Sequence, residues 1–162
     1  MFKTLKKAQK GFTIIELLIV IAIIAILALL VLNNIQGGQA KARDSTRTGD
    51  INGIHTQLEN YYNENSSYPQ TFTAETLPGI DEGALTDPTG NNSITMATAV
   101  ADRAAAEAAG TNPGGDTATT SGYSYIPYNC TASACTGYVL KTFIEKPTDT
   151  TPNPYVKRSL ND

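Results

Sequence analysis

The chain has 162 residues, with 12 lysines and arginines against 15 aspartates and glutamates, and a formal net charge of −3. This length leaves room for one small folded domain besides a long helix, and it excludes two separate hydrophobic cores. Four of the cationic residues lie within the first eleven, so the rest of the chain is more acidic still. This balance argues against nucleic acid as a partner and leaves only Lys157-Arg158 as a local basic patch.

The N-terminus combines a basic leader with an apolar run. Residues 1–11 contain four lysines and no acid. Residues 12–32 would span about 30 Å as a helix, which matches the hydrocarbon core of a bilayer. The positive-inside rule then predicts a single pass with the N-terminus in the cytoplasm and the C-terminal part outside. Ordinary secretory signals are cut after their apolar core, whereas the small residue here precedes it. We therefore expect cleavage between Gly11 and Phe12, which leaves the helix on the product.

One carboxylate, Glu16, lies inside the apolar stretch. An acid deep in a spanning helix costs roughly 2.5 to 3.5 kcal/mol, and less near an interface. Since membrane anchoring does not require it, Glu16 predicts a functional role with a specific partner. The alternative is an acid that is tolerated at the membrane edge of a plain anchor helix.

The stretch from Lys10 to Val20, KGFTIIELLIV, resembles the N-terminal motif of the type IV pilin and pseudopilin family. The resemblance implies cleavage after Gly11 by a prepilin peptidase and methylation of the new amine of Phe12. It also implies storage among lipids of the cytoplasmic membrane, followed by extraction by inner-membrane assembly machinery into a helical filament of identical subunits. The natural partner of Glu16 is then the charged Phe12 amine of a neighbouring subunit, and this pair would fix the axial register.

A second apolar stripe predicts that the helix continues beyond the membrane segment. Its members recur at spacings of three and four residues: Ile51, Ile54, Leu58 and Tyr61. We therefore predict one helix from about Phe12 to about Asn63, with the outer half against a sheet. The weak helix formers at 33–38 mark a soft point. The resemblance implies that this point can melt locally in the filament, and a loose membrane exit without a mechanical role is the alternative.

Several polar residues on this helix predict a solvated or subunit-facing surface. They are Lys41, Arg43, Asp44, Arg47 and Asp50. The single histidine, His55, is assigned to the helix surface or to a subunit contact. The sequence shows no catalytic constellation and no phosphate-binding loop, so we predict a protein that is not an enzyme and binds no cofactor.

Turn formers dominate residues 70–92. The segment 85–90 resembles the Asp-Pro-x-Gly turn that precedes the sheet in pseudopilins, and relatives of that group can bind calcium. The acids Asp81, Glu82 and Asp87 are therefore weighed as calcium ligands against a solvated acidic loop. Their spacing is not that of an EF-hand, which favours the loop and no metal.

The second half of the chain predicts a surface helix followed by a sheet. The alanine-dense residues 94–109, with Ser93 as N-cap, predict the helix, and residues 110–122 an exposed loop. Alternation of aromatic and small residues predicts a strand at 123–128. The strongest strand is predicted at 138–145 and a short last strand at 155–158. Pro127 predicts an edge position or a bulge in the first of these strands.

The two cysteines, Cys130 and Cys135, lie in the loop predicted to join the first two strands. On the oxidising side of the membrane a disulfide is expected, with free thiols or metal ligation as alternatives. One distant histidine makes a poor zinc site. Tyrosines are assigned to core contacts rather than a ligand cage: Tyr61, Tyr62, Tyr123, Tyr125 and Tyr138.

The predicted fold class is α+β, with a long N-terminal helix and a small antiparallel sheet packed on its C-terminal half. The predicted parts are a leader at 1–11, a membrane and polymerisation segment at 12–32, an outer helix at 33–63 and a globular head at 64–162. Three functions fit. A type IV pilus subunit, exposed on the cell surface after assembly, is favoured by length and by the residues at 93–122. The alternatives are a pseudopilin of a type II secretion system and an uncleaved single-pass binding domain.

Overall fold

The computed structural model of the chain describes residues 11–90, 93–109 and 122–161, with the side chains of 30–36 excepted. The predicted leader, apart from Gly11, and the predicted loop at 110–122, apart from Gly122, lie outside the described residues. The chain divides into two compact units, residues 1–39 and 40–162. Helix α1 (Ile14–Asn65) contributes its first part to the first unit and its second part to the second. Among the residues whose side chains are described, no helix offers a stretch long and apolar enough to cross a membrane.

The described residues of the second unit (residues 40–162) form a five-stranded sheet and two short helical segments, besides the second part of α1. The strands are β1 (Tyr68–Pro69), β2 (Thr95–Met96), β3 (Tyr123–Thr131), β4 (Ala134–Thr142) and β5 (Tyr155–Arg158). The helical segments are a 3-10 turn at Glu82–Leu85 and helix α2 at Arg103–Ala108. Strand β4 pairs antiparallel with β3, β1 and β5, whereas β2 pairs parallel with β3. The long helix and the largely antiparallel sheet confirm the predicted α+β class.

The core forms where the apolar stripe of α1 meets one face of the sheet. Ile51, Ile54 and Leu58 are fully buried, as their helical spacing predicts. They pack with aromatic side chains of the strands and of the loop after β1: Tyr68, Phe72, Tyr123, Tyr125 and Tyr138. The two outer tyrosines, Tyr61 and Tyr62, are partly buried against this cluster. The tyrosines are therefore core and helix–sheet contacts.

The β3–β4 hairpin is longer and tighter than predicted. Cys130 lies directly opposite Cys135 in the ladder, so the strands continue through the segment that was predicted to be a loop. Only Ala132 and Ser133 separate the strands, and the two cysteines form a disulfide. Pro127 lies in a strand flanked on both sides. Its carbonyl accepts from Val100, away from β4, so the missing N–H removes no β3–β4 hydrogen bond.

Replacing both cysteines by serine should lower the free energy of unfolding by about 2 kcal/mol, because the bridge closes a short loop of the unfolded chain. The measurement is protease resistance of the full chain across a urea series. The unsubstituted chain under reducing conditions is the matched control and should shift by the same amount. Equal urea midpoints for the oxidised chain and the double variant would contradict this role.

The alanine-dense segment is mostly not helical, which corrects the prediction for 94–109. Backbone N–H groups of Ala97 and Val100 donate to carbonyls of β3, so this stretch adds to the free edge of the sheet. Helix α2 begins after Asp102, whose side chain accepts from the Ala105 N–H, and Ser93 has no capping role there. The density of alanine predicted a helix, but most of this segment pairs instead with the free edge of β3.

Helix α2 is held against the other face of the sheet. Ala106 is fully buried among Ile126, Tyr128 and Val139. The Lys141 amine, from β4, donates to two main-chain carbonyls at the end of the helix, at 2.6 and 2.7 Å. A cation at this end satisfies carbonyls that lack helical partners. Both faces of the sheet are therefore covered.

Candidate functional site

The start of α1 carries a reciprocal cap between Thr13 and Glu16. The Glu16 carboxylate accepts from the Thr13 backbone N–H at 2.8 Å and from its hydroxyl at 2.7 Å. The Thr13 hydroxyl in turn accepts from the Glu16 backbone N–H at 3.3 Å. This is the capping-box arrangement, in which two unpaired N–H groups of a helix start are satisfied. Within its own chain, Glu16 therefore has a hydrogen-bonding partner three residues away, besides the Phe12 amine of a neighbouring subunit that the sequence resemblance implies.

The helix that follows this cap exposes a continuous apolar surface. Phe12 is 91% exposed and Ile14 is 82% exposed, and the large apolar side chains from Ile15 to Leu29 are each at least half exposed. Soluble monomers rarely expose apolar patches of this extent, and larger ones mark protein or membrane contacts. The first unit thus presents an interaction surface with one carboxylate, Glu16, near its start.

A second cluster, the Arg47 cluster, lies in the second unit and consists of Arg43, Asp44, Arg47, Asp87 and Glu145. The Arg47 guanidinium is fully buried and contacts three carboxylates. The distances are 2.7 Å to Asp87, 2.9 Å to Asp44 and 2.7 Å to Glu145. Burial alone would lower the pKa of Arg47, but its hydrogen bonds to Asp87 and Glu145 outweigh that effect and keep it charged.

The Arg47 cluster joins α1 to two distant connections. Asp44 accepts the backbone N–H groups of Glu145 and Lys146 at 2.9 and 2.8 Å. Strand β4 ends at Thr142 and not at 145 as predicted, and the backbone of residues 145 and 146 bonds to α1 instead. Arg43 adds two hydrogen bonds to Glu145, at 2.7 and 2.6 Å. The cluster therefore fixes the helix to the segments around residues 87 and 145.

The predicted surface role was wrong for Asp44 and Arg47, which are 7% and 0% exposed. A signal was present in the sequence. Extending the buried stripe back from Ile51 by four and then three residues reaches Arg47 and Asp44, and one further step of four reaches the buried Ala40. The charges were assigned by residue type although their positions belong to the core side of the helix.

The three candidate calcium ligands are not brought together. Asp87 is committed to Arg47 and to the N–H and hydroxyl of Thr89. Asp81 caps the 3-10 turn by accepting from the Gly83 N–H, and Glu82 follows it with its side chain exposed. Within residues 11–90, 93–109 and 122–161, no group of three or more acidic, histidine or cysteine side chains is arranged to hold a metal.

A third polar cluster, centred on Glu59, joins α1 to the sheet and the last described residues. The Glu59 carboxylate accepts from the hydroxyls of Tyr68 and Tyr138, each at 2.8 Å, and from the side chain of Asn161 at 3.2 Å. His55 Nδ1 lies 2.7 Å from the Tyr138 hydroxyl, which makes His55 a helix–sheet contact, whereas the helix surface or a subunit contact was predicted. Burial lowers the pKa of His55 and raises that of Tyr68 to about 12. Glu59 was not singled out in the sequence, because its neighbours Leu58 and Asn60 give no indication of its partners Tyr68 and Tyr138.

Acid should destabilise the second unit through the Arg47 cluster. The hydrogen bond from Arg43, assisted by Arg47, lowers the pKa of Glu145 to about 2. Burial would raise the pKa of Asp87, but hydrogen bonds from Arg47 and Thr89 outweigh it and lower that pKa as well. Depressed carboxyl pKa values contribute stability above the unfolded values near 4 that is lost as pH falls through the folded values.

We therefore expect the urea midpoint of the full chain to fall between about pH 4.5 and pH 2. A Glu145→Gln variant should start lower at neutral pH and show a shallower fall across the same range. Parallel pH curves for the two proteins would contradict the assignment.

The chain is similar to known proteins in its N-terminal motif and beyond it. Residues 6–32 match the model of the prokaryotic N-terminal methylation motif. Three proteins named type II secretion system core protein G are similar. The one from Dickeya chrysanthemi is 39% identical over 41% of this chain and 44% of its own length. The one from Escherichia coli K12 is 31% identical over 53% of this chain and 70% of its own length. The one from Pseudomonas aeruginosa is 35% identical over 53% of this chain and 56% of its own length. No solved structure matches the chain significantly.

The matching residues define a class of subunit with an N-terminal methylation motif that opens a long helix. The chain belongs to the type IV pilin and pseudopilin family. It spans less than half the length of the first relatives that it matches, such as the Dickeya protein. The name that these relatives share is that of a core component of a secretion machine and not of an enzyme, in agreement with the structural role expected from the sequence.

Proposed function

We propose that this chain is a pseudopilin, a structural subunit of a type II secretion machine, and not the surface pilus subunit that its length favoured. The observation that carries this proposal is the extent of the match to the E. coli core protein G. The methylation motif covers only residues 6–32, whereas that alignment runs over 102 residues and 70% of the relative. The similarity thus reaches well beyond the N-terminal motif.

Processing is proposed to follow the motif. A prepilin peptidase removes the leader at 1–11 and the Phe12 amine is methylated. Residues 12–32 then hold the subunit in the cytoplasmic membrane, with the N-terminus inside and the outer helix at 33–63 and the head at 64–162 outside. The exposed apolar side chains from Phe12 to Leu29 support this step, because lipid would cover them.

Assembly is proposed to exchange one partner of Glu16 for another. In the single chain its carboxylate is bound by Thr13. In a filament, where the helices pack together in a medium of low dielectric constant, the charged Phe12 amine of a neighbouring subunit is a stronger partner. Because Thr13 holds Glu16 until that amine arrives, the carboxylate avoids standing unpaired in lipid.

The deciding experiment combines intact-mass spectrometry with fractionation of the native protein. We expect a chain that begins at Phe12 with one added methyl group and is recovered from the cell envelope and, in cells that contain the secretion machine, from sheared filaments. Deleting the protein should stop the secretion of exported proteins. Filaments sheared from the cell surface in a strain without the secretion machine would instead support a surface pilus subunit. An unprocessed chain beginning at Met1 would overturn both proposals.

A further inference from the structure

In the second unit, α1 exposes a face that lies between two flanks of opposite charge. The buried stripe through Ile51 faces the sheet. At about 100° per residue, Lys41 and Thr48 lie about 60–80° to one side of Ile51, and Asp50 and Gln57 lie about 100–120° to the other. Different segments of the chain cover the two sides, so the two flanks carry different chemical groups.

The first flank is a basic cleft of about 390 Å³ between α1 and the segment after β4. Its lining is Lys41, Asp44, Ser45, Thr48, Lys146, Pro147, Thr148 and Thr151. Within the described residues, neither lysine has a carboxylate in salt-bridge distance. Asp44, the only acid in the lining, is committed to Arg47 and to two backbone N–H groups. The cleft therefore offers two cations and several hydroxyl groups to a carboxylate from outside.

The second flank is an acidic loop that contains Glu75, Asp81 and Glu82, all exposed. Gly79 of this loop lies against the Gln57 side chain, which fixes the loop beside α1. Burial raises the pKa of Asp50 on the same side of the helix, and the charge of Asp81 raises it further. None of the three exposed acids forms an ion pair within the described part of the chain.

We propose that the cleft at Lys41 and Lys146 receives the acidic loop at 75–82 of a second copy of this chain. The two surfaces are complementary in charge but lie on different sides of one helix. A contact between them is therefore heterologous, and it adds subunits in one direction instead of closing a two-fold dimer. This contact rests on the proposed filament function, and it supplies the register of the second units independently of the packing of the N-terminal helices.

Charge reversal tests the contact in the full chain expressed with its secretion machine. The cleft variant is Lys41→Glu with Lys146→Glu, and the loop variant is Glu75→Lys with Glu82→Lys; Asp81 is kept because it caps the 3-10 turn. We expect each variant to reduce the processed protein in sheared filaments at least five-fold. Combining all four changes should restore it to within two-fold of the original chain. Urea midpoints should stay unchanged, because none of these side chains is buried.

Asp149→Lys is the matched control, since it reverses an exposed charge on the same turn as the cleft. The proposal predicts equal or greater assembly for this variant, and a five-fold loss would contradict it. If the variant with all four charge reversals does not recover assembly, the contact is also overturned. This is the result expected if the cleft binds a free anion instead of the loop. If the original chain enters filaments and the cleft and loop variants enter them equally well, only this inference fails. If the original chain never enters filaments, the proposed function fails and the contact with it.

Discussion

Replacing Arg47 with methionine should lower the free energy of unfolding by about 3–5 kcal/mol, the largest stability effect we expect for an exchange on α1. Methionine is close to arginine in length, so the change removes charge more than volume. It leaves Asp44 and Asp87 buried without their cation, and Glu145 with Arg43 alone. Uncompensated buried carboxylates either take up protons or force the surrounding segments open.

Protease resistance of the full chain in detergent, measured across a urea series, gives this free energy. Arg43→Met is the matched control, because Arg43 contacts the same Glu145 from a side chain that is 32% exposed. Partly exposed pairs of this kind are worth about 1 kcal/mol or less. If both variants lose the same free energy of unfolding, the burial of Arg47 does not add to its contribution to stability.

Replacing Glu16 with alanine should abolish entry into filaments, with at least a ten-fold loss, while leaving membrane insertion intact. Alanine removes both the cap with Thr13 and the charge offered to a neighbouring Phe12 amine. Glu16→Gln separates these roles, since glutamine can still complete a capping box but carries no charge. The measurement is the processed chain recovered in sheared filaments compared with the membrane fraction.

The glutamine variant decides between the two roles of Glu16. If the charged pair drives assembly, Glu16→Gln should fail nearly as completely as Glu16→Ala. Normal filaments from Glu16→Gln would rule out the charged pair and leave helix capping as the role. Thr13→Ser is the matched control, because it keeps the hydroxyl that bonds Glu16 and should assemble normally.

The parts of the fold that follow from periodic patterns were predictable. Spacings of three and four placed Ile51, Ile54 and Leu58 in the core, and alternation of aromatic and small residues placed the first part of β3. The alanine-dense segment misled, because a free edge of β3 outweighed a weak helical preference. Propensity is a local property, whereas the edge exists only after the sheet has formed.

The polar clusters were not predictable from residue types alone. Arg47 and Asp44 are charged residues in core positions, and their burial depends on Asp87 and Glu145 arriving from distant parts of the chain. Glu59 likewise acquires its role only when Tyr68 and Tyr138 reach it. A single sequence contains no signal for such long-range pairs. The N-terminal motif, in contrast, is contiguous, and it was identified from the order of its residues.

The contacts of the Arg47 cluster differ in how early they can form during folding. Its contacts to the 145–146 segment join residues 98 to 102 positions apart. Closing so long a loop is slow compared with forming a helix or a hairpin. If α1 is anchored first in the membrane, the ion pair of Arg47 with Glu145 can form only after residue 145 has been translocated. The ion pair with Asp87, which lies only 40 residues from Arg47, can form earlier, so the cluster is completed in two stages.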